Sequence, residues 1–412
     1  MILNTNKFDL LVIRDYYPSL KNPASSTWVF DQVEGLIGYG YTPLVISPTP
    51  FNPFKFFSPK RFRLYDSPSN KIEFYKGTDV IRPSYIKVPN NKLKAFTLNQ
   101  LSRSISYLSD YKNVKLIHAH FGQNGVAALA LKKRLSVPLI TSFYGYDSGR
   151  LGLLFQPFYK ELIREGDLFL ALSEDMKSDL IKLGFPKNKI LIHHLGVDID
   201  VFTPSVVDLD IFTLITVARL DEVKGIQYVI EALKLFLNKY PHLENKIIYK
   251  IIGGGVFEPE LRKKVHETGL DHNVQFINNL ILKNAREIVQ NEIRASDIFL
   301  LCSITPNNGA KEGTPIVLME AQASGKPCIA TFHAGIPEVV INNKTGFLVK
   351  EKDSHEIMLS IEKFFFNQET LKRMGIEASI HIAKEFNHSL QMKKLSEIYY
   401  NLTYQSNSKH AS

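Results

Sequence analysis

The chain has 412 residues, 44% of them apolar and 22% charged, with a net charge of +9, which is globular composition at a length that suits two cores rather than one. Two cysteines, Cys302 and Cys328, are too few for a disulfide framework or a structural zinc site, so a reducing cytoplasm is the expected compartment. The opening Met-Ile-Leu-Asn-Thr-Asn-Lys lacks the basic and apolar halves of a secretory signal, and no window holds the roughly 18 apolar residues of a membrane span.

Short apolar runs alternate with helix-like stretches along the whole chain. In the first half, strands are predicted near 8–14, 42–46, 114–119, 138–142, 168–172 and 190–193. In the second they are predicted near 212–218, 247–252, 273–277, 297–302, 327–331 and 346–349. Between strands lie amphipathic segments such as 225–238, with Ile226, Val229, Ile230, Leu233 and Leu237 at helical spacing. Continuous apolar strands separated by helices predict parallel sheets covered on both faces. Two such series predict an α/β chain of two doubly wound, Rossmann-like domains. The joint is placed at 196–211, where Pro204 and the run Ser205 to Asp210 read as a linker. The resulting domains are 1–200, 201–385 and a terminal helix, 386–412, that returns to the first domain and frays at its end. Ligands of open α/β sheets bind beyond the carboxyl ends of the strands, so residues just after each strand carry the most information, and the site is expected in a cleft between facing domains.

The charge excess is one-sided. Residues 1–200 carry 26 Lys and Arg against 17 Asp and Glu, while residues 201–412 carry 24 of each. An anionic partner follows for the first half, with nucleic acid, anionic lipid and an anionic glycan all open. Residues 51–65 interleave Phe51, Phe54, Phe56, Phe57 and Phe62 with Lys55, Lys60, Arg61 and Arg63. That loop reads either as partly packed surface or as a dock onto an anionic membrane leaflet, which liposome flotation without preference for anionic lipid would contradict. Strand 114–119 runs into His118-Ala119-His120-Phe121-Gly122, and strand alternation puts both imidazoles on one face. No Cys or carboxylate stands at metal spacing, so the expectation is hydrogen bonding or acid–base work, with a buried structural role open for at least one of them. The next strand ends in Tyr144-Gly145-Tyr146-Asp147. Asp198-Ile199-Asp200 spells D-x-D, but its place in a crossover loop argues against a metal.

In the second half, Arg219 and Lys224-Gly225 follow strand 212–218. Cations past a strand end suit a diphosphate, Arg as a fork and Lys as a point charge; two solvated surface cations are the alternative. Gly253-Gly254-Gly255 fails as a dinucleotide fingerprint, because the third glycine of G-x-G-x-x-G would fall at Glu258. A tight turn near a ligand is the better reading. The run 311–327 reads as a helix with its punctuation: Thr314 at the N-cap, Pro315 in the first turn, Gly325 as a left-handed C-terminal cap. Its N-terminus offers amides and a positive dipole end to an anion, and Gly313 allows close approach. If Glu312 and Glu320 both lay along the helix they would stand roughly 12 Å apart. That is too far for the paired carboxylates of a retaining hydrolase, which need about 5 Å. They either grip two parts of an extended ligand or are solvated helix charges.

Val-Ala-Arg-Leu at 217–220 with Lys224-Gly225, Ile-Gly-Gly-Gly at 252–255, Glu-Gly-Thr-Pro-Ile-Val-Leu-Met-Glu-Ala at 312–321, Ala-Gly-Ile-Pro-Glu-Val-Val at 334–340 and Thr-Gly-Phe-Leu-Val at 345–349 occur in that order. Together they resemble glycosyltransferase family 4, whose members are retaining enzymes of the GT-B fold. The resemblance implies that Arg219 and Lys224 hold a donor diphosphate and that Glu312 and Glu320 contact the transferred sugar and the ribose. It also implies that Gly313, Thr314, Pro315 and the Gly254 turn line the donor. His118-Ala119-His120-Phe121-Gly122 is similar to the family's first domain, where the later His, here His120, faces the donor sugar. Tyr144 stands where many members have His, while Asp147 fits the pattern. Asn22-Pro23-Ala24-Ser25-Ser26 stands where many have a Gly-Gly loop, with Ser25 as a substitute donor.

The function so implied is a retaining, metal-independent hexosyl transferase. It would use a nucleotide-diphosphate sugar, need no cofactor and act on a glycan or lipid-linked acceptor in exopolysaccharide, capsule or lipopolysaccharide synthesis. His120, Glu312, Arg219 and Lys224 would be its catalytic set, with Ser25, Tyr144 and Asp147 on the acceptor side. It would work in the cytoplasm or at the inner face of the membrane. A nucleotide-sugar epimerase, a glycan phosphorylase, a non-catalytic relative and a nucleic-acid binder are the rivals.

Overall fold

In the computed structural model the chain is described over residues 7–20, 27–51, 69–87, 94–106, 112–205, 210–278, 284–307 and 309–410. It divides into two units, Met1–His193 with Met392–Ser412, and His194–Gln391. Ser25, the loop 51–65 beyond Phe51, and residues 206–209 of the expected joint lie outside the described residues.

The first unit holds β1 (Leu10–Ile13), β2 (Pro43–Ile46), β3 (Thr49–Phe51), β4 (Ser69–Tyr75), β5 (Thr78–Arg82), β6 (Ser84–Ile86), β7 (Leu116–His120), β8 (Leu139–Ser142), β9 (Leu168–Ala171) and β10 (Ile190–Ile192). Eight of them form one sheet in the order β10-β9-β8-β7-β1-β2-β5-β4. The strands expected from the apolar runs are there and pair in parallel, Leu10 with Pro43 on one side and with Leu116 on the other.

Residues 69–86 depart from the sequence reading. They supply β4, β5 and β6, and β4 lies antiparallel on β5 at the sheet edge. Their hairpin turns at Lys76-Gly77, both with positive φ, in the primed geometry that matches strand twist. An edge strand covered on one face carries charges such as Glu73 and lacks a continuous apolar run, which is why the sequence pattern missed it. The helix His388–His410 contributes Met392, Leu395 and Tyr399 to this unit's core, against Leu10, Val12 and Ile140.

The second unit is a six-stranded parallel sheet of β11 (Phe212–Val217), β12 (Ile247–Ile252), β13 (Val274–Ile277), β14 (Ile298–Leu301), β15 (Cys328–Thr331) and β16 (Gly346–Val349), in the order β13-β12-β11-β14-β15-β16. Strand alternation sends Leu214 to one face, with Val229, Leu233 and Phe236 of the helix Ile226–Lys239. It sends Ile215 to the other, with Leu318 and Met319 of the helix Ile316–Ala323. Strand order reverses between β11 and β14, the switch point at which such sheets open a crevice. Ser205, expected in a free linker, is tied to this unit: its hydroxyl donates to the Arg294 carbonyl (2.9 Å), and Lys326 Nζ donates to the Ser205 carbonyl (3.0 Å). Among the described residues no helix is long and apolar enough to cross a membrane.

Candidate active site

At the switch point of the second unit, the loops after β11 and β14 are stitched together by the Ile304 amide, which donates to the Val223 carbonyl (2.8 Å). The β11 loop turns at Gly225, φ +66°, where an added Cβ would stand 1.8 Å from the Cys302 carbonyl oxygen. No other residue fits there, and the turn starts the helix Ile226–Lys239 directly behind Lys224. Gly253, φ +146°, lets the β12 loop press on the β11 loop, with its Cβ position 1.8 Å from the Ala218 oxygen. The Leu220 amide closes this contact on the Gly254 carbonyl (3.0 Å). The triple glycine is thus a tight turn that shapes the cation loop.

Lys224 Nζ donates to Glu312 Oε2 at 2.5 Å, across 88 residues of sequence, with the side chains only 14% and 15% exposed. Ser303 Oγ, just past β14, donates to the same oxygen (3.3 Å). Burial alone would raise the Glu312 carboxyl, but the Lys224 ammonium, helped by the Ser303 hydroxyl, outweighs it and holds it below the usual carboxylate range. Arg219 is not part of this network: its side chain is 74% exposed, and its Nε donates to Asp221.

The helix begins at Ile316, with Pro315 as its N-cap (φ −70°, ψ 114°), which corrects the expected start at Thr314 and Pro315. An extended ψ at Pro315 keeps it out of the helix, and Thr314 is buried instead of capping. Glu312 therefore lies in the loop ahead of the helix and Glu320 within it, so the 12 Å rise along one helix does not apply. The C-terminus is as expected: Gly325 has φ +73°, its amide donates to the Gln322 carbonyl (2.9 Å), and the Lys326 amide donates to the Ala321 carbonyl (3.0 Å). The opposite end leaves first-turn amides for a ligand beside the Glu312–Pro315 segment.

In the first unit the reversal lies between β1 and β7, and the residues there form a polar cluster. Arg14, just past β1, pairs with Asp15 and lies 4.3 Å over the Phe121 ring. Asn124 Nδ2 donates to Asp15 Oδ1 (2.9 Å) and to the His120 carbonyl (2.7 Å). The His118 and His120 rings lie on one face, as strand alternation requires, with centroids 4.2 Å apart and planes tilted by 32°. His118 is taken up by the core, with Nδ1 2.5 Å from the Tyr399 hydroxyl and Nε2 2.7 Å from Ser142 Oγ. His120 Nδ1 is 2.6 Å from the Tyr144 hydroxyl. Burial keeps that phenol above its ordinary value, so it retains its proton. Asp147 accepts the amides of Gly122 (2.7 Å) and Tyr144 (2.9 Å), tying the start of the helix Gly122–Leu135 to the β8 loop.

These buried groups set a pH dependence. Burial, then His193, pushes His118 from 6.5 down to about 3, and burial, then His118 and Arg14, holds His120 well below 6.5. Below pH 6.5 the unfolded chain binds protons that the folded imidazoles refuse, so stability falls with pH. Asp147 acts in the opposite sense: burial raises it from 3.8 to about 6, against its amide hydrogen bonds, so below that pH the folded chain holds a proton the unfolded chain has released. Between roughly pH 4 and 6 the two imidazoles outweigh the one carboxyl by about one proton, and the first unit should lose about 1.4 kcal/mol per pH unit. Urea denaturation at pH 7, 6 and 5 measures it; a flat profile would mean the imidazoles are charged in the fold.

Three second-unit residues and three first-unit residues were not anticipated: Ser303, His333 and Glu351, and Arg14, Asp15 and Asn124. The signal for most of them was available, since Ser303, His333 and Glu351 stand two residues past β14, β15 and β16, and Arg14 directly follows β1.

Two family models match the chain, Glycosyl transferases group 1 over residues 202–380 and Glycosyltransferase Family 4 over residues 25–201. WcaL of Salmonella typhimurium, described as a colanic acid biosynthesis glycosyltransferase, is 33% identical over 287 residues, 68% of this chain and 69% of WcaL. The amylovoran biosynthesis glycosyltransferase AmsK of Erwinia amylovora is 27% identical over 400 residues, 91% of this chain and 96% of AmsK. Among solved structures, Anabaena HepE in complex with UDP-glucose matches with a TM-score of 0.71 at 17% identity, over 95% of this chain and 99% of HepE.

Proposed function

The chain belongs to the group 1 and family 4 glycosyltransferases and has the GT-B fold, and from that membership we propose that it is a retaining hexosyl transferase of exopolysaccharide biosynthesis, using a nucleotide-diphosphate sugar as donor. The observation that carries the reading is the Lys224–Glu312–Ser303 cluster at the switch point of the second unit, beside the N-terminus of Ile316–Ala323. WcaL is named for colanic acid biosynthesis and AmsK for amylovoran biosynthesis, which supports the same class of product here.

In this reading Lys224 meets the donor diphosphate, and Arg219, exposed on the same loop, swings to join it. Glu312 meets the transferred sugar and Glu320 the ribose. The first-turn amides and Lys224 stabilise charge growing on the leaving diphosphate, an electrostatic effect of several kcal/mol in a preorganised site. The glycosidic bond to the diphosphate breaks as the acceptor hydroxyl attacks the same face. The departing phosphate oxygen takes the acceptor's proton, so no metal and no carboxylate nucleophile is required. His120, neutral through burial, serves as a hydrogen-bonding partner and not as a cation.

Thermal melting with a panel of UDP-, GDP-, ADP- and dTDP-sugars in EDTA tests the donor site. At a hundred times its dissociation constant the true donor should add about 2.7 kcal/mol, roughly 5–10 °C for a unit of this size. The shift should vanish in Glu320→Ala and Lys224→Ala. No shift with any nucleotide sugar would favour a non-catalytic relative; donor turnover without an acceptor would favour an epimerase.

A further inference from the structure

His333 lies on the loop after β15 and is 2% exposed. Its Nδ1 is 2.7 Å from Glu351 Oε1, and its Nε2 accepts the main-chain amide of Glu312 at 2.9 Å. A carboxylate only accepts, so the ring proton sits on Nδ1 and the lone pair on Nε2. Glu351, after β16, is itself held by the Thr305 amide (2.8 Å) and Thr305 Oγ1 (3.2 Å), from the loop after β14. One hydrogen-bond chain thus runs over three neighbouring strand ends and finishes on the backbone of the residue whose carboxylate grips Lys224. The chain reverses immediately after His333 through Ala334, a non-glycine residue at φ +45°. Strain of that kind persists where the surroundings hold it in place.

We propose that His333 and Glu351 are positioning residues for the Glu312 contact with the donor sugar: Glu351 locks the imidazole as the Nδ1–H tautomer, and Nε2 anchors the Glu312 amide so that the carboxylate is aimed. Without the lock, the Nε2–H tautomer would set one N–H against another and release the 312–315 segment. The inference rests on the donor-site reading of Glu312 given above.

Two measurements test it. Long-range 1H–15N spectra of the full chain report the tautomer without any ligand. Wild type should show His333 protonated on Nδ1 alone, and Glu351→Leu should shift the ring toward Nε2–H. A wild-type ring protonated on Nε2 overturns the inference outright. The second measurement is calorimetry with the nucleotide sugar selected by the panel and with its nucleoside diphosphate. His333→Leu and Glu351→Leu should lose about tenfold or more of the sugar-dependent gain in affinity and keep diphosphate affinity within about twofold. His333→Gln, whose Oε1 can take the amide, and Glu351→Gln, whose Oε1 can take the ring proton, should recover most of that gain. A purely structural role would instead rank all four variants by melting temperature and weaken both ligands equally, which overturns the inference. Unchanged sugar affinity in both folded Leu variants, with the gain lost in Glu312→Gln, also overturns it and leaves the donor site standing. An unchanged gain in Glu312→Gln overturns the donor-site reading and this inference with it.

Discussion

Lys224→Ala is expected to lower kcat/KM by about 10²–10³-fold, the scale of removing one preorganised charge-stabilising donor. Its ammonium is 2.5 Å from Glu312 in a site that is mostly closed to water, so the substitution also strands a carboxylate. Two effects can therefore be separated. In wild type the Glu312 carboxyl is held low, so its stabilising contribution is present above the unfolded value of about 4.5 and is lost only as pH falls through the lower folded value. Without Lys224, burial becomes the leading influence and pushes the carboxyl up, so the stranded carboxylate should cost most at neutral pH and the cost should shrink as pH falls and the folded chain takes up the proton. Adding Glu312→Gln to Lys224→Ala should restore stability at neutral pH without restoring transfer. Steady-state kinetics and denaturation between pH 4 and 7 measure both. Full activity in Lys224→Ala would remove Lys224 from the mechanism.

Gly225→Ala is expected to cost roughly 3 kcal/mol or more in the second unit, from left-handed strain plus a Cβ 1.8 Å from the Cys302 oxygen. Gly269 is the matched control. It has nearly the same φ, +68°, and open space where a Cβ would go, so Gly269→Ala should show the strain alone, about 1 kcal/mol. The difference between the two urea midpoints isolates the clash. Equal costs would mean that the β11 and β14 loops part easily. Gly225→Ala should also displace Lys224, one residue away, and weaken nucleotide-sugar binding, whereas Gly269→Ala should leave binding alone.

Among the described residues, twelve of the fourteen strands in the two large sheets were legible as apolar runs, because a strand buried on both faces must be apolar throughout. The Gly325 cap was legible because a left-handed residue after a helix is a local requirement. The helix start was not: Pro315 reads as a first-turn residue, yet it is extended and caps the helix, since the path of the Glu312–Pro315 segment answers to contacts from elsewhere. The edge strand β4 was missed for the complementary reason, that a half-exposed strand mixes charges into the pattern, and β5, which is short and carries Asp79 and Arg82, was missed with it. In the site, Lys224, Glu312 and Glu320 were singled out by the family resemblance, whereas their type and spacing alone left solvated charges open.

Which of these residues meet is a different matter. Lys224 reaches Glu312 and Arg219 does not, although both cations follow the same strand. Ser303, His333 and Glu351 join because β14, β15 and β16 are neighbours in the sheet, with their carboxyl ends on one edge. Periodicity and caps depend on residues within a few positions of one another, and a sequence displays them directly. Hydrogen-bond partners 18 to 88 residues apart depend on strand order and loop path, which exist only once the sheet has formed.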